Sequence, residues 1–474
     1  MAIQKGKKGE NGMTKARKAF MLALALIMAV VLAACGGGSS GGSGSSGSGA
    51  SPSSSPSTSD GSGGGSASSN SPDTKRFAGT TIRFVAANHA WTDTIKPLIP
   101  KFEEETGIKV NFEQFFEDQL TQKLTIELTA KSDSLDVFMV RPLQDGKLYI
   151  KNGWLADITD FAQDPEWDFS DFAQGAVAPF MQDNRLYGVP LITEREILYY
   201  RKDIFEKHNI QVPQTLEELK EVAARLNDPK NDFYGFVARG QRSPAVTQFS
   251  SFLYSSGGDW FVDGKATLDT PEAISAFKLY GELLREYGPP GVLNMSWPQA
   301  LGVFAQGKAA MYTDADSLFP NMLDPEKSIV PEENIGFAVF PAGSAGRKSY
   351  NVTSWGLGIN SNSKKQEAAW EFVKWITNKE NSVFVQGAGN PGPRNSAWQD
   401  PEGVKAFSKD LADVMNEASR IGVGYDRPLV VNVGEARDII GEVIVTSIEG
   451  GNVENAAKAA NAKFQELLDK EASN

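Results

Sequence analysis

The chain is 474 residues long and carries 47 Lys and Arg against 59 Asp and Glu, a formal net charge of −12. So acidic a composition argues against nucleic acid and against docking on anionic lipid head groups. A single cysteine excludes an internal disulfide, two histidines are too few for a histidine-built zinc site, and the length predicts two domains.

The apolar run Ala19 to Ala34 follows Lys5, Lys7, Lys8, Lys15, Arg17 and Lys18, with Glu10 the lone acid. A basic stretch, an apolar stretch of this length and small residues before a cut read as a secretory signal over residues 1–34. Leu32-Ala33-Ala34-Cys35 resembles the lipobox of bacterial lipoproteins, whose cysteine receives a diacylglycerol before cleavage. The plainer alternative is an ordinary signal with an incidental cysteine. Met13 serves as well as Met1 for a start, because Met13 to Cys35 is already a complete signal. Without residues 1–34 the formal charge becomes −17. Gly36 to Pro72 holds 12 Gly and 17 Ser in 37 residues, too little apolar surface to offset its ordering entropy. Residues 35–76 therefore read as a lipidated cysteine and a tether, spanning roughly 30–35 Å root-mean-square as a Gly/Ser coil. The expected location is the outer face of the cell membrane, held there by acyl chains such as palmitate. No later segment reaches eighteen apolar residues.

Past the tether, "TIRFVAA" (Thr81 to Ala87) alternates and reads as a strand. Ile95, Leu98, Ile99 and Phe102 recur at helical spacing, with Gly107 as the stop. "IKVNF" is a second strand, Leu120, Leu124 and Leu128 mark a second helix, and "DVFMV" is a third strand. That alternation predicts a parallel α/β sheet with right-handed crossovers. Thr215 to Glu218 reads as a capping box opening a helix to about Leu226. Thr270-Pro271-Glu272 starts another, with Ile274, Phe277 and Leu284 along one face. "AAMYTDAD", "NIGFAVF" and "TSWGLGIN" read as strands, and Ser363 with Gln366 as a capping box for "QEAAWEFVKWITN". A last helix carries Ala456, Ala460, Phe464 and Leu467.

Enzyme and cofactor motifs are scarce. The one G-x-S-x-G string, Gly37 to Gly41, lies in the tether, "GLGINS" lacks the third glycine of a dinucleotide loop, and there is no P-loop. Tyr199-Tyr200 is compatible with ferric-iron capture, but adjacent tyrosines on a strand more simply point to opposite faces. No cofactor and no metal are expected. The stronger pattern is aromatic and charged hydrogen-bonding residues at the ends of predicted strands, where open α/β sheets bind small ligands. These are His89 and Trp91, Arg141, Glu194, Asp314 and Asp316, and then Trp355 and Arg394. An indole covers the C–H face of a sugar while carboxylates and guanidiniums take its hydroxyls. Taken singly, each has an ordinary alternative, since a Trp is commonly core and a strand-end Asp is often a cap.

From about Gly79 onward the chain is similar to the extracellular solute-binding proteins of family 1, the sugar receptors of ABC importers, and distantly to maltose-binding protein. The residues that carry the likeness are "PKFEEETGIKVNF", "LYYRKDIF", "FAQGKAAMYTDADS", "SWGLGINSNSKKQEAAWEFVKWIT" and "GNPGPRNSAW". The resemblance implies an α/β, two-lobed periplasmic-binding-protein fold (type II-like) with three hinge crossovers and a ligand cleft between the lobes. Lobe 1 is expected over residues 77–192 plus 355–392, lobe 2 over 193–354 plus 393–474, with crossovers near Pro190–Glu196, Tyr350–Trp355 and Gly387–Ser396. By the same likeness Glu194 is the hinge carboxylate and Arg394 the arginine of a proline-arginine turn. The family often has a tryptophan after "YTDADS", where Leu318 and Phe319 stand here, which leaves the stacking floor to Trp260 or Trp355. The implied function is a lipid-anchored, monomeric receptor that hands a saccharide or polyol to an ABC permease without chemistry. An exported glycosidase using Glu194 or the Asp314/Asp316 pair, and a surface glycan-binding adhesin, remain as alternatives.

The anchor is directly testable. Cys35→Ser is expected to abolish acylation, moving the protein from the detergent phase to the aqueous phase on phase partitioning. Intact-mass analysis of wild type showing an unmodified Cys35 would overturn the assignment.

Overall fold

The computed structural model describes residues 75–473. The signal segment, Cys35 and the Gly/Ser stretch up to residue 74 lie outside the described residues.

Strands β1 (Thr81–Ala87), β2 (Lys109–Phe115) and β3 (Val137–Val140) pair in parallel, with Phe84 opposite Phe112 on one side and Val137 on the other. Parallel neighbours need a crossover. The first is not one helix but three pieces, Ala90–Ile95, a 3₁₀ turn Lys96–Leu98 and Ile99–Thr106. Pro97 has no N–H to continue the helical ladder, which explains the break. Gly107 ends the run at φ 74°, a left-handed conformation favoured for glycine. The second crossover is the helix Glu117–Thr129, which buries Leu120, Leu124 and Leu128 as their spacing requires.

The sheet is completed by β4 (Val189–Arg201), β5 (Met311–Ala315), β6 (Ile335–Val339) and β7 (Asn351–Ile359), in the order β6-β4-β7-β3-β1-β2 with β5 also on β4. Strand β4 is 13 residues long. Its first half pairs with β7, its second half with β5 and β6, all antiparallel. Accordingly Val189, Leu191 and Ile192 join a first apolar core with β1–β3 and the helix Gln366–Ile376. Leu198 joins a second core with Phe249, Phe277 and Phe464, while Ile197 and Tyr199 join a third with Phe304 and Tyr312. One strand thus threads the cores on both sides of the crossing. Gly356 on β7 is required by crowding, because a Cβ there would lie 2.1 Å from the Phe180 ring.

Two helix starts differ in detail from expectation. Thr215 caps the helix Leu216–Leu226 through the Glu218 N–H at 3.1 Å, but Glu218 accepts from Gln214 N rather than from the cap itself. The Ser363/Gln366 box does not form. Ser363 donates instead to buried Asp136 at 2.5 Å, and Gln366 donates to the Ser361 carbonyl. A fully buried carboxylate needs donors from every side, and Asp136 also takes Lys365 Nζ and the Arg83 N–H.

Three residues expected to hold ligand are buried in the structure. Trp91 is 2% exposed in the first core, beside a cavity of about 20 Å³, room for little more than one water. Trp260 is fully buried in the second core, its Nε1 donating to Tyr254 Oη at 2.6 Å. Arg394 is also fully buried. It donates to the carbonyls of Thr377 (2.8 Å), Trp167 (2.6 Å) and Asp168 (3.2 Å), pairs with Asp171 (3.1 Å), and lies 4.1 Å from the Phe172 ring centroid. Four of the five guanidinium N–H groups are thus used internally.

Arg394→Met should therefore act on stability. It strands three carbonyls and a carboxylate, a class of change that costs about 3–5 kcal/mol when a buried charge loses its partner. Urea unfolding should show this loss, while calorimetry on the folded variant should find ligand affinity within about twofold of wild type. Weak binding with unchanged stability would place Arg394 in the site after all.

Candidate ligand cleft

Where β4 leaves the first core its sequence is Thr193-Glu194-Arg195-Glu196, and strand alternation sends Arg195 to the face opposite the two glutamates. Arg195 meets Asp316, with Nε 2.5 Å from Oδ2 and its backbone N–H 3.1 Å from Oδ1. Asp316 is fully buried, and this pairing makes it a clamp between β4 and the turn after β5, not a ligand group. Asp314 is likewise fully buried. Its oxygens accept from Arg239 (3.0 and 2.6 Å), Gln248 (2.5 Å) and Tyr312 Oη (2.7 Å). With its lone pairs taken, Asp314 acts through Arg239, whose side chain is 14% exposed. Both aspartates expected to touch ligand are thus buried against arginines instead of standing open to the cleft.

Glu194 differs from both. It is half-buried and has one side-chain partner, Ser317 Oγ at 2.6 Å. Burial pushes its carboxyl up to about 7, against the Ser317 hydrogen bond and with the Asp316 charge adding to the rise. Glu196, fully buried, accepts from Thr313 at 2.8 Å, and its Oε2 has no partner. Tyr350 Oη, buried within electrostatic reach of Asp314, Glu196, Arg239 and Glu194, has none either.

The facing group is built on the C-terminal ends of β1 and β3. Arg141 donates to Thr121 Oγ1 (2.7 Å), Asp145 (3.1 Å) and Glu117 (3.4 Å). Its guanidinium stands 5.8 Å from the Trp355 ring centroid, and the His89 ring stands 6.1 Å from the same indole. Trp355 is itself 5% exposed and, like Trp91, packs in the first core, but it alone of the two has these polar side chains against its ring. Register shifts in the β4–β7 pairing on both sides of Trp355 mark a β-bulge, a device that re-aims a side chain. His89 caps the helix Ala90–Ile95, its Nδ1 accepting from Trp91 N at 3.0 Å, which leaves the ring proton on Nε2. Burial lowers its pKa to about 4, so the ring is neutral at pH 7. The structure thus gathers His89, Arg141 and Trp355, and places Glu194 and Arg239 at the β4 crossing.

The two sides touch. Trp297 Nε1 donates to Glu117 at 3.4 Å, Lys147 Nζ to the Leu429 carbonyl at 2.5 Å, and Arg427 and Arg437 to Gln144. Sequence reading missed Glu117, Gln144, Arg239, Trp297, Arg427 and Arg437. Two carried a signal: Arg239 follows the apolar run Phe236-Val237-Ala238, and Arg437 interrupts the buried stripe Val433, Ile440, Ile444. A cation on a core face needs a reason. Tyr199 is buried, donating to the Ala315 carbonyl at 2.7 Å, while Tyr200 packs on Phe205, so the pair does point opposite ways. Among the described residues, no group of three or more His, Cys, Asp or Glu is placed to hold a metal, and no helix is long and apolar enough to cross a membrane.

A family model described as bacterial extracellular solute-binding protein matches residues 88–383. The erythritol/L-threitol-binding protein of Mycolicibacterium smegmatis is 27% identical over 333 residues, 65% of this chain and 69% of that protein. The mannitol-binding protein of Pseudomonas aeruginosa is 26% identical, covering 68% of this chain and 75% of its own. Among solved structures, an ABC transporter solute-binding protein from Agrobacterium radiobacter in complex with ribitol superposes with a TM-score of 0.75 at 28% identity. That match covers 82% of this chain and 99% of the other.

The carboxyl at the crossing predicts a pH dependence. Folding raises Glu194 from 4.5 to about 7, so between those values the folded state holds a proton that the unfolded chain releases. Its contribution is present below pH 4.5 and lost as pH rises through 7. His89 runs the other way, since folding lowers it from 6.5 to about 4 and its contribution is lost as pH falls through 4. Glu194→Gln removes only the first effect. Its melting temperature minus that of wild type should therefore climb between about pH 5 and pH 7.5. A flat difference would mean that Glu194 is ionised throughout.

Proposed function

This chain belongs to the bacterial extracellular solute-binding protein family, and from that premise we propose that it captures a sugar or polyol and delivers it to an ABC import permease. The observation that carries the ligand class is the Trp355 indole flanked by His89 and Arg141, with Glu194 and Arg239 at the crossing strand. An apolar ring face meets C–H groups, while a neutral imidazole N–H, a carboxyl and two guanidiniums meet hydroxyls. Relatives named for erythritol, threitol and mannitol, and a ribitol-bound structure at 28% identity, support the same class. Tyr350 Oη and Glu196 Oε2, buried without partners, add polar groups able to hydrogen-bond hydroxyls or water at the same crossing.

The mechanism is closure of two lobes about β4, β7 and the segment near Asn390. Ligand that touches both lobes only when they meet shifts the open–closed equilibrium by that difference in affinity. Separate cores on the two sides of the crossing support lobes near residues 77–192 with 355–392 and 193–354 with 393–474. The signal segment, Cys35 and the Gly/Ser tether complete the reading as a lipid-anchored receptor on the outer face of the membrane.

The glycosidase alternative draws on one feature, a Glu194 carboxyl near 7, as a general acid requires. A glycosidase also needs a second free carboxylate across the scissile bond. Asp314 and Asp316 are each held by a guanidinium of their own, which favours binding over hydrolysis.

Calorimetry with erythritol, ribitol, mannitol, common monosaccharides and maltose should find at least one ligand that binds one-to-one and raises the melting temperature, with no turnover of aryl glycosides or oligosaccharides. Trp355→Ala should weaken that ligand by about 10–100-fold. Trp154→Ala removes a ring packed 5.3 Å from Tyr149 and should lower stability more than affinity. Product formation, or saturable binding of none of these compounds, would overturn the reading.

A further inference from the structure

Gln144 lies on the turn Pro142–Gly146, between Arg141 and Asp145, which pair with each other. Its side-chain oxygen accepts two hydrogen bonds from the opposite lobe, from Arg427 Nη1 at 2.9 Å and Arg437 Nη1 at 2.8 Å. Both guanidiniums are fixed by their own side of the seam. Arg427 pairs with Asp426, itself 1% exposed, and reaches Thr247 Oγ1. Arg437, 8% exposed on the helix Val433–Ile448, donates through Nε and Nη2 to the Ser243 carbonyl at 3.0 and 2.8 Å, and through Nη2 to Thr247. Each therefore offers a preset N–H to the Gln144 side-chain oxygen across the seam.

The charge count is uneven here. A half-buried guanidinium, Arg427, and a buried one, Arg437, share a single carboxylate, Asp426, and Arg437 makes no ion pair among the described residues. Burial and the neighbouring Arg427 charge push the Arg437 guanidinium well below its ordinary value. Such a site gains from any acceptor brought to it, and closing the lobes is what brings Gln144. When the lobes part, Gln144 leaves with the first lobe and both N–H groups lose their acceptor. The neighbouring contacts, Lys147 with the Leu429 carbonyl and Trp297 with Glu117, extend the same seam.

We propose that Gln144, gripped by Arg427 and Arg437, is a clasp of the closed state that raises affinity for every ligand by the same factor, by favouring closure and without touching ligand. The proposal deepens the receptor reading and rests on it. It follows from how a binding-competent population scales affinity, since the apparent dissociation constant is the intrinsic one divided by the fraction closed. A residue that contacts ligand changes preference among ligands, whereas a clasp residue does not. The uneven charge also gives the substitution a sign: a carboxylate at position 144 compensates the unpaired guanidinium and tightens the clasp, whereas alanine releases it.

The test uses wild type, Gln144→Ala and Gln144→Glu as complete folded chains, checked by melting temperature. Calorimetry against every compound that binds wild type should show Gln144→Ala weaker by a common factor, about three- to tenfold for two lost charge-assisted bonds partly replaced by water. Gln144→Glu should be tighter, again equally for all. Small-angle scattering without ligand should order the radius of gyration as Gln144→Glu below Gln144→Ala. A factor that differs from ligand to ligand would make Gln144 a ligand contact and overturn the clasp. So would weaker binding by Gln144→Glu, or identical scattering of the two variants. If no sugar or polyol binds wild type, the receptor reading fails on its own, and the scattering order still decides the clasp.

Discussion

Strand β4 has to cross from one apolar core to the others without leaving buried charge unpaired. At the crossing it carries Glu194, Arg195 and Glu196, and Asp314 and Asp316 arrive opposite from β5 and the turn after it. Four carboxylates meet two guanidiniums, Arg195 and Arg239. Asp314 takes the Arg239 guanidinium in paired hydrogen bonds of 3.0 and 2.6 Å, and Asp316 takes Arg195 through Nε at 2.5 Å and the backbone N–H at 3.1 Å. The glutamates are left with hydroxyls, from Ser317 and Thr313. Burial disfavours the charged form of a group without a counter-ion, so both glutamates shift upward. The ion pairs hold the strand in place, and the remaining polar capacity stays with the two glutamates.

That division separates structure from grip. Asp314 and Asp316 look like binding residues by type and position, yet their energetic role is to orient arginines, and removing either strands a buried cation. Glu194, Arg239, His89, Arg141 and Trp355 sit on separate chain segments that meet only at the crossing and across the cleft. Their relative placement therefore depends on how the two sides are held, and in the closure proposed above affinity would follow the open–closed equilibrium as well as direct contacts. A bulge at Trp355 and a capping contact at His89 set local orientation, while the seam from Glu117–Trp297 through Gln144 to Lys147 sets the global one.

Local order was legible from residue pattern because it depends on near neighbours. Thr81–Ala87 alternates and is a strand, Leu120, Leu124 and Leu128 share a helix face, and Thr270 caps the helix that Pro271 opens. The parallel start of the sheet and the acidic character of the chain followed from the same reading, whereas a crossover near Pro190–Glu196 was implied only by the family likeness. The fates of single polar and aromatic residues did not. Trp91, Trp260 and Arg394 have the composition of a binding site, but whether an indole faces a cleft or a core depends on chain segments a hundred or more residues away, as with Arg394 and its Trp167 and Asp168 carbonyls. The Ser363 box failed for the same reason, since Asp136, 227 residues earlier, claims the hydroxyl.

The sequence by itself determined the classes of interaction: alternating and helical apolar faces, a surplus of carboxylates, aromatics at strand ends, and a likeness strong enough to imply two lobes. Only the tertiary structure decided which carboxylate meets which guanidinium. Pairing depends on distances of a few ångströms between distant segments, and an acid two positions along a strand has the same local signature whether it faces Arg195, Arg239 or a ligand. Gln144 shows the limit most plainly. Nothing in "RPLQDGK" marks an amide that will accept from arginines 283 and 293 residues away, because the two guanidiniums that give it a role are brought to it by the fold.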